Sequence, residues 1–251
     1  MDYSASELMT INAARLLRDG DVVFVGVGLP NLACNLAMRT HAPHLLMIYE
    51  AGVIGARPAR LPLSIGDPTL VSGAAGICSM YDIFTLYLQR GNVDVAFLGG
   101  AQIDRYANIN ATVIGDYAHP KVRLPGSGGS QEAAGWANRC YIITPHQSRR
   151  FPEKVDFCTS AGLSGGHAAR KASGLRGGGP QAVVTNLGIL EPDDDGELVL
   201  AALHPGATVE QARANTGWAL KTAHEVRRTE PPTAEELRIL RAELDPQGIY
   251  L

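Results

Sequence analysis

The chain has 251 residues, 45% hydrophobic and 19% charged, with a net charge of −3. That balance excludes a disordered chain, and its mild acidity gives no electrostatic case for a nucleic-acid or anionic-membrane partner. No apolar run reaches the ~18 residues of a bilayer-spanning helix. The opening Met1-Asp2-Tyr3-Ser4 lacks the basic and apolar regions of a signal peptide, so a cytoplasmic protein is expected.

Ser4-x-x-Glu7 has capping-box spacing, followed by Leu8, Ile11, Ala14 and Leu17 at helical intervals, with Gly20 as the stop. Residues 21–25 read as a short buried strand that turns through Gly26-Val27-Gly28-Leu29-Pro30 into a helix over residues 31–39. A second apolar run, residues 44–49, delivers Glu50-Ala51-Gly52 at its carboxyl end. Residues 93–98 form another buried strand, which runs into Gly99-Gly100-Ala101-Gln102. Residues 140–144 and 181–185 repeat the theme, and residues 198–203 and 208–215 read as a strand and a short helix. Thr233-x-x-Glu236 caps a last helix lined by Leu237, Leu240 and Leu244 and ended by Asp245-Pro246.

Buried strands separated by helical stretches predict an α/β fold, a mostly parallel open sheet flanked by helices. No linker or repeat divides the chain, so residues 1–251 are read as a single domain. The glycine-rich residues 174–180 read as a flexible surface loop.

Several motifs have plain readings. Gly26-x-Gly28 lacks the third glycine of a dinucleotide fingerprint, Asn31 standing in its place, and Pro30 interrupts it; a strand-to-helix turn is the default. Gly126-Ser127-Gly128-Gly129 lacks the Lys-Ser/Thr of a P-loop. It is either a flexible loop or a run of backbone N–H groups able to hold an oxyanion. Cys34, Cys78, Cys140 and Cys158 form no Cys-x-x-Cys pair and the seven histidines show no ligand spacing, so buried free thiols and no metal are expected. His119, His146 and Arg149-Arg150 read as surface or helix-end residues. Asp193-Asp194-Asp195-Gly196 reads as an acidic turn between two strands. Glu50 taken alone is most simply an exposed glutamate, yet it lies at a strand's carboxyl end, where open α/β sheets bind ligands.

Read together, the segments resemble family I coenzyme A transferases. Tyr49-Glu50-Ala51-Gly52-Val53-Ile54-Gly55 is similar to the segment around that family's catalytic glutamate. Residues 99–110 look like its G-A-x-Q-x-D-x-x-G-N-x-N element, and Pro125-Gly126-Ser127-Gly128-Gly129 like its G-x-G-G loop. Among the family, β subunits of the glutaconate CoA-transferase type are most alike. That likeness runs through Leu63-Ser64-Ile65-Gly66-Asp67, His146-x-x-Arg149-Arg150-Phe151 and residues 184–190. Ala107 stands where the family usually has glycine, so its turn must avoid a positive φ or accept strain. Ala51 replaces a small polar residue and removes a hydrogen bond beside the glutamate.

The resemblance implies the CoA transferase β-subunit fold, with Glu50 as the catalytic carboxylate that accepts CoA. Gly126, Gly128, Gly129, Gly100 and Gln102 are its implied oxyanion or CoA-binding residues. It also implies no resident cofactor, a CoA thioester as substrate with a carboxylic acid such as glutaconate, and an α-type partner subunit in a heterotetramer or heterooctamer. Relatives that decarboxylate or hydrolyse CoA thioesters replace this glutamate. A CoA-dependent decarboxylase, lyase or hydrolase remains the alternative enzyme, and a non-catalytic CoA-binding partner subunit the alternative from another class.

Overall fold

The computed structural model describes residues 2–58 and 60–251. The chain folds as a mixed, mostly parallel open β-sheet flanked by α-helices, as its apolar runs predict. It divides into two compact units: one takes the chain up to Phe97 together with Pro231–Leu251, the other spans Leu98–Glu230.

In the first unit, α1 (Ala5–Ala14) starts at the expected capping box: the Ser4 hydroxyl accepts from the Glu7 N–H, and the Glu7 carboxylate from the Ser4 N–H. The helix stops at Ala14, short of Gly20. Next come β1 (Val22–Phe24), α2 (Leu29–Arg39), β2 (Leu46–Ile48), β3 (Val53–Ile54), β4 (Gly76–Ile77), α3 (Met80–Asp82) with a π-helical continuation (Ile83–Leu88), and β5 (Val95–Leu98). Here β1 lies between β2 and β5, parallel to both, while β3 pairs antiparallel with β2 and β4 with β3. Val23, Met47 and Ile48 are buried in this parallel core, consistent with strands covered on both faces.

The second unit opens with two small antiparallel hairpins, β6 (Gln102–Ile103) with β7 (Ile109–Asn110) and β8 (Val113–Gly115) with β9 (Pro120–Arg123). Then follow α4 (Ser130–Trp136), β10 (Arg139–Ile143), α5 (His167–Ala172), β11 (Pro180–Val184), β12 (Gly188–Pro192), β13 (Leu198–Leu203), α6 (Val209–Ala214) and β14 (Thr222–Arg228). β10 and β11 are parallel, β11 to β13 antiparallel, and β14 lies parallel beside β13. The acidic turn lies between β12 and β13 as read, with Asp193 Oδ1 accepting from the N–H groups of Asp195 and Glu197.

The glycine-rich stretch after α5 is not merely a surface loop. Gly177 is buried; its N–H donates to Gly135 O, and a Cβ there would meet Ala137 O at 2.3 Å. Buried Arg170 donates to the carbonyls of Ala134, Gly162 and Gly177, bracing the start of this stretch against α4.

The final helix returns to the first unit as α7 (Ala234–Arg238), continued by a π-helical turn (Ile239–Leu244). Its capping box pairs Thr233 with Glu236. Buried Glu7 receives the Arg241 guanidinium, which holds its carboxyl below the usual range, and Arg15 pairs with Glu236 at 2.7 Å. No helix among the described residues is long and apolar enough to cross a membrane.

Candidate active site

Glu50 occupies the tip of the tight hairpin joining β2 to β3. Tyr49 N–H donates to Val53 O at 2.9 Å, and Gly52 N–H to Tyr49 O at 2.9 Å, enclosing Glu50-Ala51-Gly52 as a three-residue loop. Such loops end in a residue with positive φ, and Gly52 has φ +102°. A Cβ on Gly52 would lie 2.0 Å from Cys78 O, because Gly52 O also accepts the Cys78 N–H. Glycine is therefore required twice over at this position, for conformation and for close approach.

Beneath the tip, Tyr49 is fully buried and its hydroxyl accepts from Asn31 Nδ2 at 2.6 Å. Asn31 comes from the first turn of α2, directly after the glycine turn that follows β1, and is in turn held by Asn35. Burial pushes the Tyr49 hydroxyl pKa upward, so it remains a neutral support. The Glu50 side chain is half-buried and forms no hydrogen bond or ion pair with any described residue. A fixed backbone thus carries an uncommitted carboxylate.

The other predicted site residues belong to the second unit. Gly126 has φ +99° and spends its N–H on Ala111 O at 2.8 Å. Gly128 is exposed with φ +48°, and Gly129 is the buried N-cap of α4. Neither Gly128 nor Gly129 donates its N–H to an acceptor among the described residues. Gly100 is closely packed: a Cβ would meet Ile109 Cγ2 at 2.3 Å. The Gln102 carboxamide is occupied at both ends, donating to Asp156 and accepting from Asn110 at 2.7 Å, so it ties the small hairpins to residue 156.

Ala107 resolves the question its sequence raised. It adopts φ +57° and is fully buried; its N–H donates to Asp104 O while Asp104 Oδ1 holds the N–H groups of Tyr106 and Asn108. The turn accepts the strain.

The remaining titratable groups divide by burial. His146 is buried rather than superficial, between Thr185 and Thr216, and burial lowers its pKa to about 4. His119 is exposed. All four cysteines are free; Cys34 and Cys140 are buried, and burial raises the Cys140 thiol to about 12. Cys78 is half-buried and Cys158 exposed, contrary to the expectation of buried thiols. Among the described residues no three His, Cys, Asp or Glu side chains stand together as metal ligands.

Sequence reasoning placed Glu50 at a strand's end but missed the hairpin. Its signal was Glu-Ala-Gly between two short apolar runs, a three-residue loop with glycine last. It also missed Tyr49 and Asn31, whose pairing across 18 residues has no local signature.

The Coenzyme A transferase family matches residues 7–215, and the chain belongs to that family. It is 51% identical over 241 residues to the B-type subunit of 3-oxoadipate CoA-transferase from Pseudomonas knackmussii, covering 96% of this chain and 93% of the relative. The crystal structure of glutaconate coenzyme A-transferase from Acidaminococcus fermentans superposes with a TM-score of 0.93 at 36% identity, covering 99% of this chain and 97% of that one. The decarboxylase AibA/AibB is also similar, with a TM-score of 0.84 at 28% identity and coverage of 99% and 98%.

Proposed function

We propose that this chain is the β-type subunit of an enzyme that moves CoA between an acyl-CoA and a carboxylic acid, with Glu50 as the covalent carrier. One observation carries the reading: a carboxylate uncommitted to any described residue, on a hairpin whose backbone leaves it little freedom. The acid is proposed to be a dicarboxylate of the 3-oxoadipate or glutaconate kind, on the strength of the two transferase relatives. An α-type subunit completes the enzyme in this proposal, and residues 1–251 act as one β-type domain.

A Glu50 oxygen attacks the thioester carbonyl, the C–S bond breaks, and CoA leaves as thiolate with a mixed anhydride behind it. The thiolate then attacks the glutamyl carbonyl; the anhydride C–O bond breaks and the first acid departs as carboxylate. Glu50 now holds CoA as its own thioester, and a second carboxylate reverses the sequence. Only a carboxyl side chain can carry CoA as an acyl thioester; a hydroxyl nucleophile would retain the acyl group instead.

A carboxylate is a weak nucleophile, so donors must already be placed for each tetrahedral oxyanion. One such donor contributes about 3–4 kcal/mol. The N–H groups of Gly128 and Gly129, unspent on any described residue, are the proposed donors. Gly100 and Gln102 serve in this proposal by shaping the neighbouring surface rather than by donating, because both are committed to packing or hydrogen bonds.

The test is a coupled assay of the chain co-purified with its α subunit, using acetyl-CoA and a panel of mono- and dicarboxylic acids. Transfer to a dicarboxylate, lost in Glu50→Ala and retained at a low level in Glu50→Asp, supports the reading. Release of CO2, or of free CoA without an acceptor acid, would instead establish decarboxylation or hydrolysis on this scaffold.

A further inference from the structure

We infer that the cleft beside the Arg149–Arg150 turn binds a phosphate group of coenzyme A, so that the chain holds the nucleotide end of its substrate away from the reacting carbonyl. The inference rests on the CoA-transfer reading above.

The two arginines line a cleft of about 310 Å³ together with Ala101, Gln102, Ile114 and Val122. Their backbone is fixed. Arg150 N–H donates to Gln147 O at 2.7 Å, and Arg150 O accepts from Ile103 N–H at 2.7 Å. One arm of the Arg150 guanidinium is also placed, with Nη1 donating to Gly100 O at 3.0 Å. Its Nε is buried with no acceptor among the described residues, an unsatisfied donor of the kind folded proteins rarely leave.

The pair has no charge compensation from a described residue, a condition it shares with Arg123 and Arg170, which donate to backbone carbonyls instead. In the first unit Arg15, Arg39, Arg60, Arg238 and Arg241 each meet a carboxylate. Neither Arg149 nor Arg150 forms an ion pair with a described residue, and Arg149 Nε donates only to the neutral amide oxygen of Gln147. Asp156, which joins this region through Gln102, directs Oδ2 to the Gln102 amide and the Gly115 N–H instead. Burial, and then the charge of Arg149, lower the Arg150 pKa. Two adjacent cations left without a counter-ion therefore lack a partner that an arriving anion would supply.

Adjacent guanidinium forks suit the several oxygens of a phosphate. CoA carries phosphates only at its nucleotide end, separated from the thiol by the pantetheine arm. Binding energy gathered there can position the thioester without contact at the carbonyl. A free phosphate or a simple nucleotide shares the same chemistry, so the test must separate these sources.

The experiment uses the chain co-purified with its α subunit and compares wild type, Arg149→Gln and Arg150→Lys. KM for acetyl-CoA in Arg149→Gln should rise about tenfold with kcat nearly kept, as expected for a lost charge-assisted contact to a remote group. Arg150→Lys retains charge without the fork, so its KM should rise less. If acetyl-dephospho-CoA removes the difference between wild type and Arg149→Gln, the 3′-phosphate is the ligand; if the difference persists, the pyrophosphate is. Adenosine 3′,5′-bisphosphate should compete with acetyl-CoA in wild type and lose potency in Arg149→Gln. Unchanged KM in both variants overturns the inference, as does competition by inorganic phosphate equal to that of the bisphosphate. Loss of CoA transfer in the wild type would instead sink the proposed function, because the arginine variants are read against a working enzyme.

Discussion

The hairpin that carries Glu50 and the segment 126–129 both depend on glycine, for opposite reasons. At Gly52 the backbone is crowded: a side chain would sit 2.0 Å from Cys78 O, and the positive φ is closed into a hydrogen-bonded loop. At Gly128 the φ is also positive, but a Cβ would find nothing within 4 Å. The first glycine makes a rigid mount and leaves a side chain free. The second leaves backbone N–H groups without an acceptor among the described residues. The roles proposed for them, nucleophile and oxyanion donors, call for these two kinds of backbone, one held and one open.

Substitutions at the two glycines should break or sharpen that contrast. Gly52→Ala should cost roughly 2–5 kcal/mol through overpacking and strain together, lowering Tm by about 5–15 °C in a scan of the purified chain. A near-wild-type Tm would mean that the hairpin is not held as described.

A pH titration isolates the unit that holds the open loop. His146 is neutral in the fold, with its pKa lowered from 6.5 to about 4 by burial. The unfolded chain takes up its proton first, so stability should decline as pH falls from about 6.5 toward about 4, by up to about 3 kcal/mol. Denaturant titrations of His146→Gln should show a shallower slope, the remainder coming from buried His204, whose pKa burial also lowers. The Glu7 carboxylate, depressed by Arg241, supports the first unit above pH 4.5, and its contribution is lost only as pH falls further, through its folded pKa.

Gly128→Ala should cost the fold only about 1 kcal/mol, yet kcat should fall more than about tenfold with KM little changed, because a methyl group would crowd the proposed oxyanion donors. Full retention of kcat would remove this loop from the chemistry. Smallest of all, Ala107→Gly should alter stability by less than about 1 kcal/mol, in the stabilising direction, as the φ of +57° is relieved.

The sequence revealed most of what is periodic and local. The Ser4–Glu7 and Thr233–Glu236 capping boxes, the buried strands β1, β5 and β13, and the glycine turn into α2 were legible because apolar runs and caps have short-range signatures. β14 was not: Thr222–Arg228 is charged and mostly exposed, without an apolar alternation to mark it. β3, β4 and the small hairpins are two to four residues long, too short for any period to emerge. Glu50 was legible from its neighbours in sequence, but its support by Asn31 through Tyr49 depends on the fold. Arg149-Arg150 looked like an ordinary surface pair. What marks it, two guanidinium groups on one cleft with the Arg150 Nε buried and without an acceptor among the described residues, is visible only in the fold.

The most direct measurement is mass spectrometry of the co-purified enzyme, incubated with acyl-CoA in the absence of acceptor acid and then treated with borohydride or hydroxylamine. The account predicts modification of the peptide containing Glu50, at Glu50 itself, and no such product when CoA alone replaces acyl-CoA. An enzyme that turns over acyl-CoA yet leaves Glu50 unmodified would contradict it.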